Sequence, residues 1–373
     1  MKIKTITCHE VYNHGASLQE YALLKHLENE GHEAETIHYK PEYLSNHFKF
    51  WRIANPRYEK NIFLKLAYLI IKFPFRYKRL KRKKSFDNFS KYYIKSTQKL
   101  YRNNEELKHD LPIADAYICG SDQIWNSFFP NGKDPAFYLD FVPSDKLKIS
   151  YAASFAIDKL DLDIKEFVKE KISRINHISV RESSGKNIIQ DLGILKKITN
   201  VLDPVFLIKK QDWKKLCTDL EIKEKYIFVY DFESNPTIEK FVKDQASRKG
   251  YKIVSVNSNI KYSDYNFYLN GPSTFLSLIK NADFIVSNSF HAVAFSVIFN
   301  KQFVVFNRAE KINTRMRDFT SLLEISDVLI KGNTDLMDYK YVIDYELLNK
   351  KLSSLIKVSK TFLTNSLKTS YDS

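Results

Sequence analysis

The sequence predicts an α/β protein made of two doubly wound, Rossmann-like domains that face a central cleft. Three observations carry this expectation. Short apolar runs alternate with longer segments of helical period along most of the 373 residues. The alternation breaks at Asp203-Pro204 and then starts afresh. The length suits two domains of ordinary size, and 44% apolar residues are enough to fill two cores.

The elements follow in order. Residues 3–7 read as a strand. Residues 18–30 read as a helix, with Leu18, Tyr21, Ala22 and Leu24 beginning an apolar stripe and Gly31 ending it. Residues 35–39 read as a second strand, so the first forty residues form a βαβ unit with parallel pairing and a right-handed crossover. Residues 60–109 look like a helical, basic insertion. Strands are expected at 116–119, 148–154, 177–180 and 201–202, with helices at 163–175 and 183–192. The second series has strands at 226–230, 252–256, 284–286 and 303–306. Its helices are expected at 237–249, 273–280 and 291–299. These runs place an N-terminal domain at 1–207 and a C-terminal domain at 208–345. An amphipathic tail at 346–373 is expected to cross back to the first domain. Two such halves imply a GT-B-like arrangement with the active site between them.

Charge narrows the partners. The net charge is +15, yet residues 60–86 alone hold ten Lys or Arg and no acid, leaving +5 to the rest. Ile62–Ile71, just inside this segment, is apolar but too short to span a bilayer, which takes about twenty residues. An apolar stretch followed by cations suits a helix lying on an anionic membrane surface. A solvated helical face explains the same pattern equally well. No nucleic-acid motif accompanies the run, so no nucleic acid is expected. Cys8, Cys119 and Cys217 are far apart, which speaks against a zinc site or disulfide framework and fits a reducing compartment. Met1–Thr5 runs into the first strand without the apolar region of a signal peptide. A cytoplasmic location is expected, with peripheral attachment to the inner face of the plasma membrane if the basic segment docks there.

Five strand-to-helix junctions could carry chemistry. In Ser287-Asn288-Ser289-Phe290-His291, an apolar strand ends and a helix begins. Helix N-termini attract anions, Asn288 or Ser289 suits the cap, and His291 can exchange a proton near neutral pH. A cap followed by a partly buried histidine explains the same residues almost as well. Arg181 ends a strand in Ser179-Val180-Arg181-Glu182, where a guanidinium can grip a carboxylate or phosphate or simply pair with Glu182. Asp122, Gln123, Trp125 and Asn126 follow Gly120 and offer polar groups and a flat face to a sugar, unless Trp125 belongs to the core. Tyr12–Gln19 follows the first strand and either lines the cleft or caps a helix. Arg315 and Arg317 are expected in a loop after the 303–306 strand. Asp161 and Asp163 form a D-x-D at a helix start, which is weak evidence for a metal.

Six segments together resemble the polysaccharide pyruvyltransferase family. They are Asn13-x-Gly15-Ala16-x-Leu18-Gln19, Gly120–Asn126, Ser150–Phe155, Ser179–Glu182, Leu202–Phe206 and Ser287–His291, in family order. The resemblance implies transfer of the pyruvyl group of phosphoenolpyruvate onto a sugar, leaving a ketal. A galactose-like 4,6-ketal of a bacterial-type surface polysaccharide, such as a capsule or exopolysaccharide, or its lipid-linked precursor is expected. It implies catalytic roles for His291 and Arg181 and donor contacts from Asn288, Ser289 and Phe290. On the acceptor side it implies Asn13, Asp122, Gln123, Trp125, Asn126 and Tyr151. No cofactor and no metal are expected, with phosphoenolpyruvate as co-substrate. Many members carry Arg-Leu-His where this chain has Ser289-Phe290-His291, so Arg315, Arg317 or Lys301 is expected to supply the missing cation. Two alternatives share the fold: a nucleotide-sugar glycosyltransferase and a non-catalytic glycan-binding protein.

Overall fold

The computed structural model describes residues 1–45, 51, 53, 58, 61–309, 313–330 and 341–368. Six strands form the first sheet: β1 (Lys2–Ile6), β2 (Glu33–Thr36), β3 (Ala116–Cys119), β4 (Leu147–Ala153), β5 (His177–Val180) and β6 (Ile198–Asn200). All pair in parallel in the order β2-β1-β3-β4-β5-β6. The strand order reverses between β1 and β3, so the loops after these strands open onto the crevice where such sheets bind ligands. Gly120 stands at φ +120 after β3, and a Cβ there would lie 2.1 Å from the Tyr151 carbonyl oxygen. Only glycine makes that turn.

The second sheet contains β7 (Tyr226–Tyr230), β8 (Lys252–Ser255), β9 (Tyr265–Asn266), β10 (Phe284–Ser287), β11 (Phe303–Phe306) and β12 (Leu329–Ile330). Its order is β12-β11-β10-β7-β8-β9, again all parallel, with the reversal between β7 and β10. β7 and β11 are buried along their whole length, as continuous apolar runs in a doubly covered sheet require. The edge strands β9 and β12 have two residues each, too few to produce a readable period in the sequence.

The helices that matter for the site are α1 (His14–Asn29), α2 (Ile62–Tyr93), α3 (Phe290–Phe299), α4 (Thr314–Leu322) and α5 (Tyr345–Lys368). The Asn13 side chain caps α1 by accepting from the Gly15 and Ala16 amides. The helix therefore starts four residues before the stripe that begins at Leu18. Two helices join the halves. Arg82 of α2 donates to the Tyr268 carbonyl in the second half and stands 3.3 Å from His14 Nε2 in the first. At the start of α5, the Tyr345 hydroxyl donates to the Lys301 carbonyl. Later in the helix, Ser359 Oγ accepts from the Leu202 amide and Phe362 packs near Tyr151. One apolar cluster runs from Leu18 and Leu23 through Val205 and Trp213 to Phe295 and Leu363.

Further expectations of the sequence pattern also shift. The last strand of the first sheet is Ile198–Asn200, because Leu202 turns away to pair with Ser359. The second strand ends at Thr36, after which Tyr39 bridges to Tyr101. Residues 314–322 are helical, so Arg315 and Arg317 sit on a helix and not in a loop.

Candidate active site

Asp203 is the hub. It follows β6 and is 1% exposed. Its Oδ1 accepts from the Val205 amide, which holds the turn in place. Its Oδ2 accepts from Arg181 Nη1 at 2.6 Å and from Ser121 Oγ at 3.2 Å, and lies 3.5 Å from His291 Nε2. One carboxylate oxygen thus gathers the ends of β3 and β5 and the first turn of α3. The first two belong, like Asp203, to the first half and the last to the second, so of these contacts the one to His291 exists only when the halves face each other.

Arg181 leaves β5 with its guanidinium over the Phe290 ring, 4.4 Å from the centroid. Its Nη2 is 3.8 Å from Asp122 Oδ1, and its Nε is 3.7 Å from Glu182 Oε2. Asp122 Oδ1 also faces Arg315 Nη1 at 3.9 Å. Glu182 Oε1 is spent on Ser154 Oγ and the Ala156 amide. Gln123 lies against Arg315, and with its amide oxygen turned that way it accepts from both terminal nitrogens, at 3.0 and 3.3 Å. His291 is the second residue of α3, and its ring passes over Gly15, where a Cβ would come within 2.0 Å of Nδ1. Ser289 occupies the N-cap position without a side-chain bond to the helix, so no side chain caps the first turn of α3. Asn288 braces this end: its Nδ2 donates to Asp231 Oδ1 after β7, and its Oδ1 accepts from the Phe232 amide.

The charges are strongly coupled. Burial by itself would raise Asp203, but His291 and Arg181 overturn that and hold its carboxyl far below the usual range. Burial likewise opposes the Arg181 charge, and Asp203, Glu182 and Asp122 more than restore it. Glu182 is pushed up by burial, only partly offset by Arg181. Arg315 is pulled down to about 10, by burial first and by the like charge of Arg181 second. Several donors in this cluster have no hydrogen-bond partner in the protein: Arg181 Nε and Nη2, Arg315 Nε and His291 Nε2. Glu182 Oε2 is likewise without one, and buried polar groups are costly to leave unpaired, by about 1–3 kcal/mol each, so the cluster can take up a polar group that supplies partners. Two guanidiniums, an uncapped helix N-terminus and an imidazole on a carboxylate can bind a carboxylate or phosphate and pass a proton.

The structure brings together His291, Arg181, Asn288, Ser289, Phe290, Asp122, Gln123 and Arg315. Others lie elsewhere. Trp125 is fully buried, donates from Nε1 to the Phe137 carbonyl and stacks on Tyr138, so neither face is offered to a sugar. Asn126 is also buried, and its Oδ1 accepts from the Phe128 amide. The Tyr151 hydroxyl donates to the Leu202 carbonyl from inside the core. The Asn13 side chain is spent on the α1 cap. Lys301 follows the C-terminal end of α3, about 15 Å along the helix from His291 at 1.5 Å per residue. Arg317 pairs with Asp158 of the first half and with Asp318, which makes it an exposed interdomain latch. Sequence reasoning passed over Asp203, Glu182 and Gly15 as site members. Asp203 reads as the residue that stops a strand, and only its burial beside Arg181 gives it another role.

Two parallel, Rossmann-like α/β domains that meet at a buried carboxylate, imidazole and guanidinium cluster define a protein of the GT-B fold. The fold has counterparts among solved structures. UDP-N-acetylglucosamine 2-epimerase from Rickettsia bellii superposes with TM-score 0.53 at 12% identity, covering 99% of this chain and 97% of that one. A putative UDP-N-acetylglucosamine 2-epimerase from Listeria monocytogenes gives 0.51 at 11% identity, covering 97% and 89%. At that identity the likeness concerns the fold alone. No curated protein matches in sequence. The family model for polysaccharide pyruvyl transferase matches residues 13–310, and the chain belongs to that family. It spans Asp122, Arg181, Asp203 and His291.

Proposed function

We propose that the protein transfers the pyruvyl group of phosphoenolpyruvate to a sugar diol and releases phosphate. The acceptor is a galactose-like residue of a surface polysaccharide or its lipid-linked precursor, and the product is a 4,6-ketal. The observation that carries this reading is the set of unspent donors on Arg181 and Arg315 beside His291, whose Nε2 stands against Asp203. Phosphoenolpyruvate offers a carboxylate and a phosphate at one end and a nucleophilic enol carbon at the other. Arg181 and Arg315 match the anions, with Arg315 standing in for the arginine that Ser289 replaces.

Imidazolium His291, held by Asp203, delivers a proton to the methylene carbon, and the neighbouring carbon becomes cationic. A sugar hydroxyl adds there and gives up its proton, phosphate leaves with the carbon–oxygen bond, and the second hydroxyl closes the ketal. The sum is phosphoenolpyruvate plus diol giving ketal plus phosphate, with the proton returned to the imidazole at closure. This donor chemistry calls for cations and a proton carrier and for no metal.

The acceptor is brought by the membrane in this reading. No helix among the described residues is long and apolar enough to cross a bilayer. The first half of α2 nonetheless exposes Phe63, Ile70, Ile71 and Phe73, with Lys65 and Lys72 on the opposite side of the helix. Such a face suits the anionic cytoplasmic surface of the plasma membrane, where a lipid-linked acceptor lies.

The test is phosphate release from phosphoenolpyruvate with candidate acceptors. His291→Ala is expected to lower kcat by about 10²–10⁴-fold, as loss of a general acid does. Phosphoenolpyruvate is expected to raise the melting temperature in the wild type and not in Arg181→Ala. Stabilisation by a nucleoside diphosphate instead, or full turnover by either variant, would overturn the reading.

A further inference from the structure

A second set of polar side chains stands at the carboxyl edge of the first sheet, in the segments that follow β1 and β2. His9 and Glu10 follow β1, and His38 follows β2. One ligand atom from each lies within 4.8 Å of the other two. His9 is 2% exposed, and its Nδ1 is 2.8 Å from Oε1 of Glu20, itself 3% exposed. A carboxylate at Nδ1 keeps a ring proton there, so Nε2 is the nitrogen left to face an ion. Nε2 stands 3.9 Å from Glu10 Oε1. The His38 ring meets His9 edge-on, with centroids 5.2 Å apart.

We propose that His9, Glu10 and His38 bind a divalent transition-metal ion, with Zn²⁺ the best match. Two imidazoles and one carboxylate form a three-ligand zinc set that keeps a fourth position for water or a ligand oxygen. Mg²⁺ and Ca²⁺ favour oxygen-only shells and do not suit two ring nitrogens. Glu20 is the positioning residue, because it orients the ligand without touching the ion. A carboxylate behind a ligating histidine is the usual arrangement around such ions. Lys40 is the competitor: its ammonium pairs with Glu10 Oε2 and neutralises the charge that the ion would take over. Tetrahedral ligands about 2.0–2.1 Å from an ion stand about 3.4 Å apart, so the loop tightens by roughly 1 Å as the ion enters. The ion then ties the β1 loop to the segment after β2. This site is independent of the pyruvyl-transfer reading, since none of its residues belongs to the Asp203 cluster.

The experiment uses the full chain without an affinity tag, stripped with a chelator, and titrates Zn²⁺ by calorimetry with elemental analysis of the dialysed product. One zinc per chain and a higher melting temperature with zinc are expected. His38→Ala should weaken binding by at least about 100-fold and Glu20→Gln by about 10–100-fold, while Lys40→Met tightens it. His38 is half-buried, and equal melting of the metal-free variant and wild type shows that the fold is kept. Absence of stoichiometric zinc would refute the site, as would equal zinc affinity in His38→Ala or equal binding of Mg²⁺.

Discussion

Replacing Gly15 with alanine places a methyl group 2.0 Å from His291 Nδ1 and 2.2 Å from its Cγ. Ordinary contact begins at 3.4 Å, so the imidazole must retreat by about 1.4 Å. A misplacement of about 1 Å in a catalytic group costs about 100-fold in rate. The backbone works in the other direction, because glycine inside a helix is less favourable than alanine by about 0.5–1 kcal/mol. The expected result is a variant that loses about 100-fold or more in kcat and melts below the wild type, because the residue 291 Cβ at 2.7 Å cannot rotate away as the ring can. The assay is initial-rate phosphate release at saturating phosphoenolpyruvate, alongside a thermal melt. Repeating the substitution in a His291→Ala background separates the causes. That background lacks the ring, although the residue 291 Cβ at 2.7 Å remains, so Gly15→Ala should add little further loss. A Gly15→Ala enzyme with near-normal kcat would refute the reasoning. So would a full further loss without the ring, since the glycine would then act through something other than His291.

Three further outcomes follow from the same structure. Asp203→Asn leaves Arg181 buried without its closest anion, and a chemical melt should show a loss of about 3–5 kcal/mol, as for other broken buried pairs. Burial holds His26 down at about 4, against 6.5 for the free side chain. Below pH 6.5 the unfolded chain takes a proton that the folded chain refuses. Stability should therefore fall between pH 6.5 and 4 by up to about 3 kcal/mol, and His26→Gln should flatten that slope in denaturant titrations. Phe63, Ile70 and Ile71 are more than 70% exposed, at 77%, 73% and 74%. Changing all three to serine should abolish co-sedimentation with anionic vesicles at about 1.5–3 kcal/mol per inserted side chain, and high salt should weaken the wild type through its cations.

Much of the fold is visible in the chain itself. Buried parallel strands such as β7 and β11 announce themselves as unbroken apolar runs, because both faces of the sheet are covered. The two-residue strands β9 and β12 do not, because two residues carry no period. The start of α1 is hidden for a related reason: His14–Ser17 has no apolar stripe, and only the Asn13 cap marks the helix end. Within the site, Arg181 and His291 stand out because each follows an apolar strand at a sheet's carboxyl edge. Trp125 stands out equally and misleads, since a flat ring beside polar residues reads the same whether it faces a sugar or packs on Tyr138.

By itself the sequence determines the fold class, through its alternating apolar and helical runs, and the family, through six ordered segments; Ser287–His291 and Ser179–Glu182 mark the strand ends that carry His291 and Arg181. Local order is enough for this, because strand, turn and helix start are written in neighbouring residues. The tertiary structure alone decides which charges meet. Asp203 joins Arg181, Ser121 and His291 across gaps of 22, 82 and 88 positions. It also decides that Arg315 reaches Asp122, that Arg317 latches onto Asp158 and that Lys301 lies at the wrong end of its helix. Coulomb energies and desolvation depend on distance and burial in space, and neither is encoded in spacing along the chain.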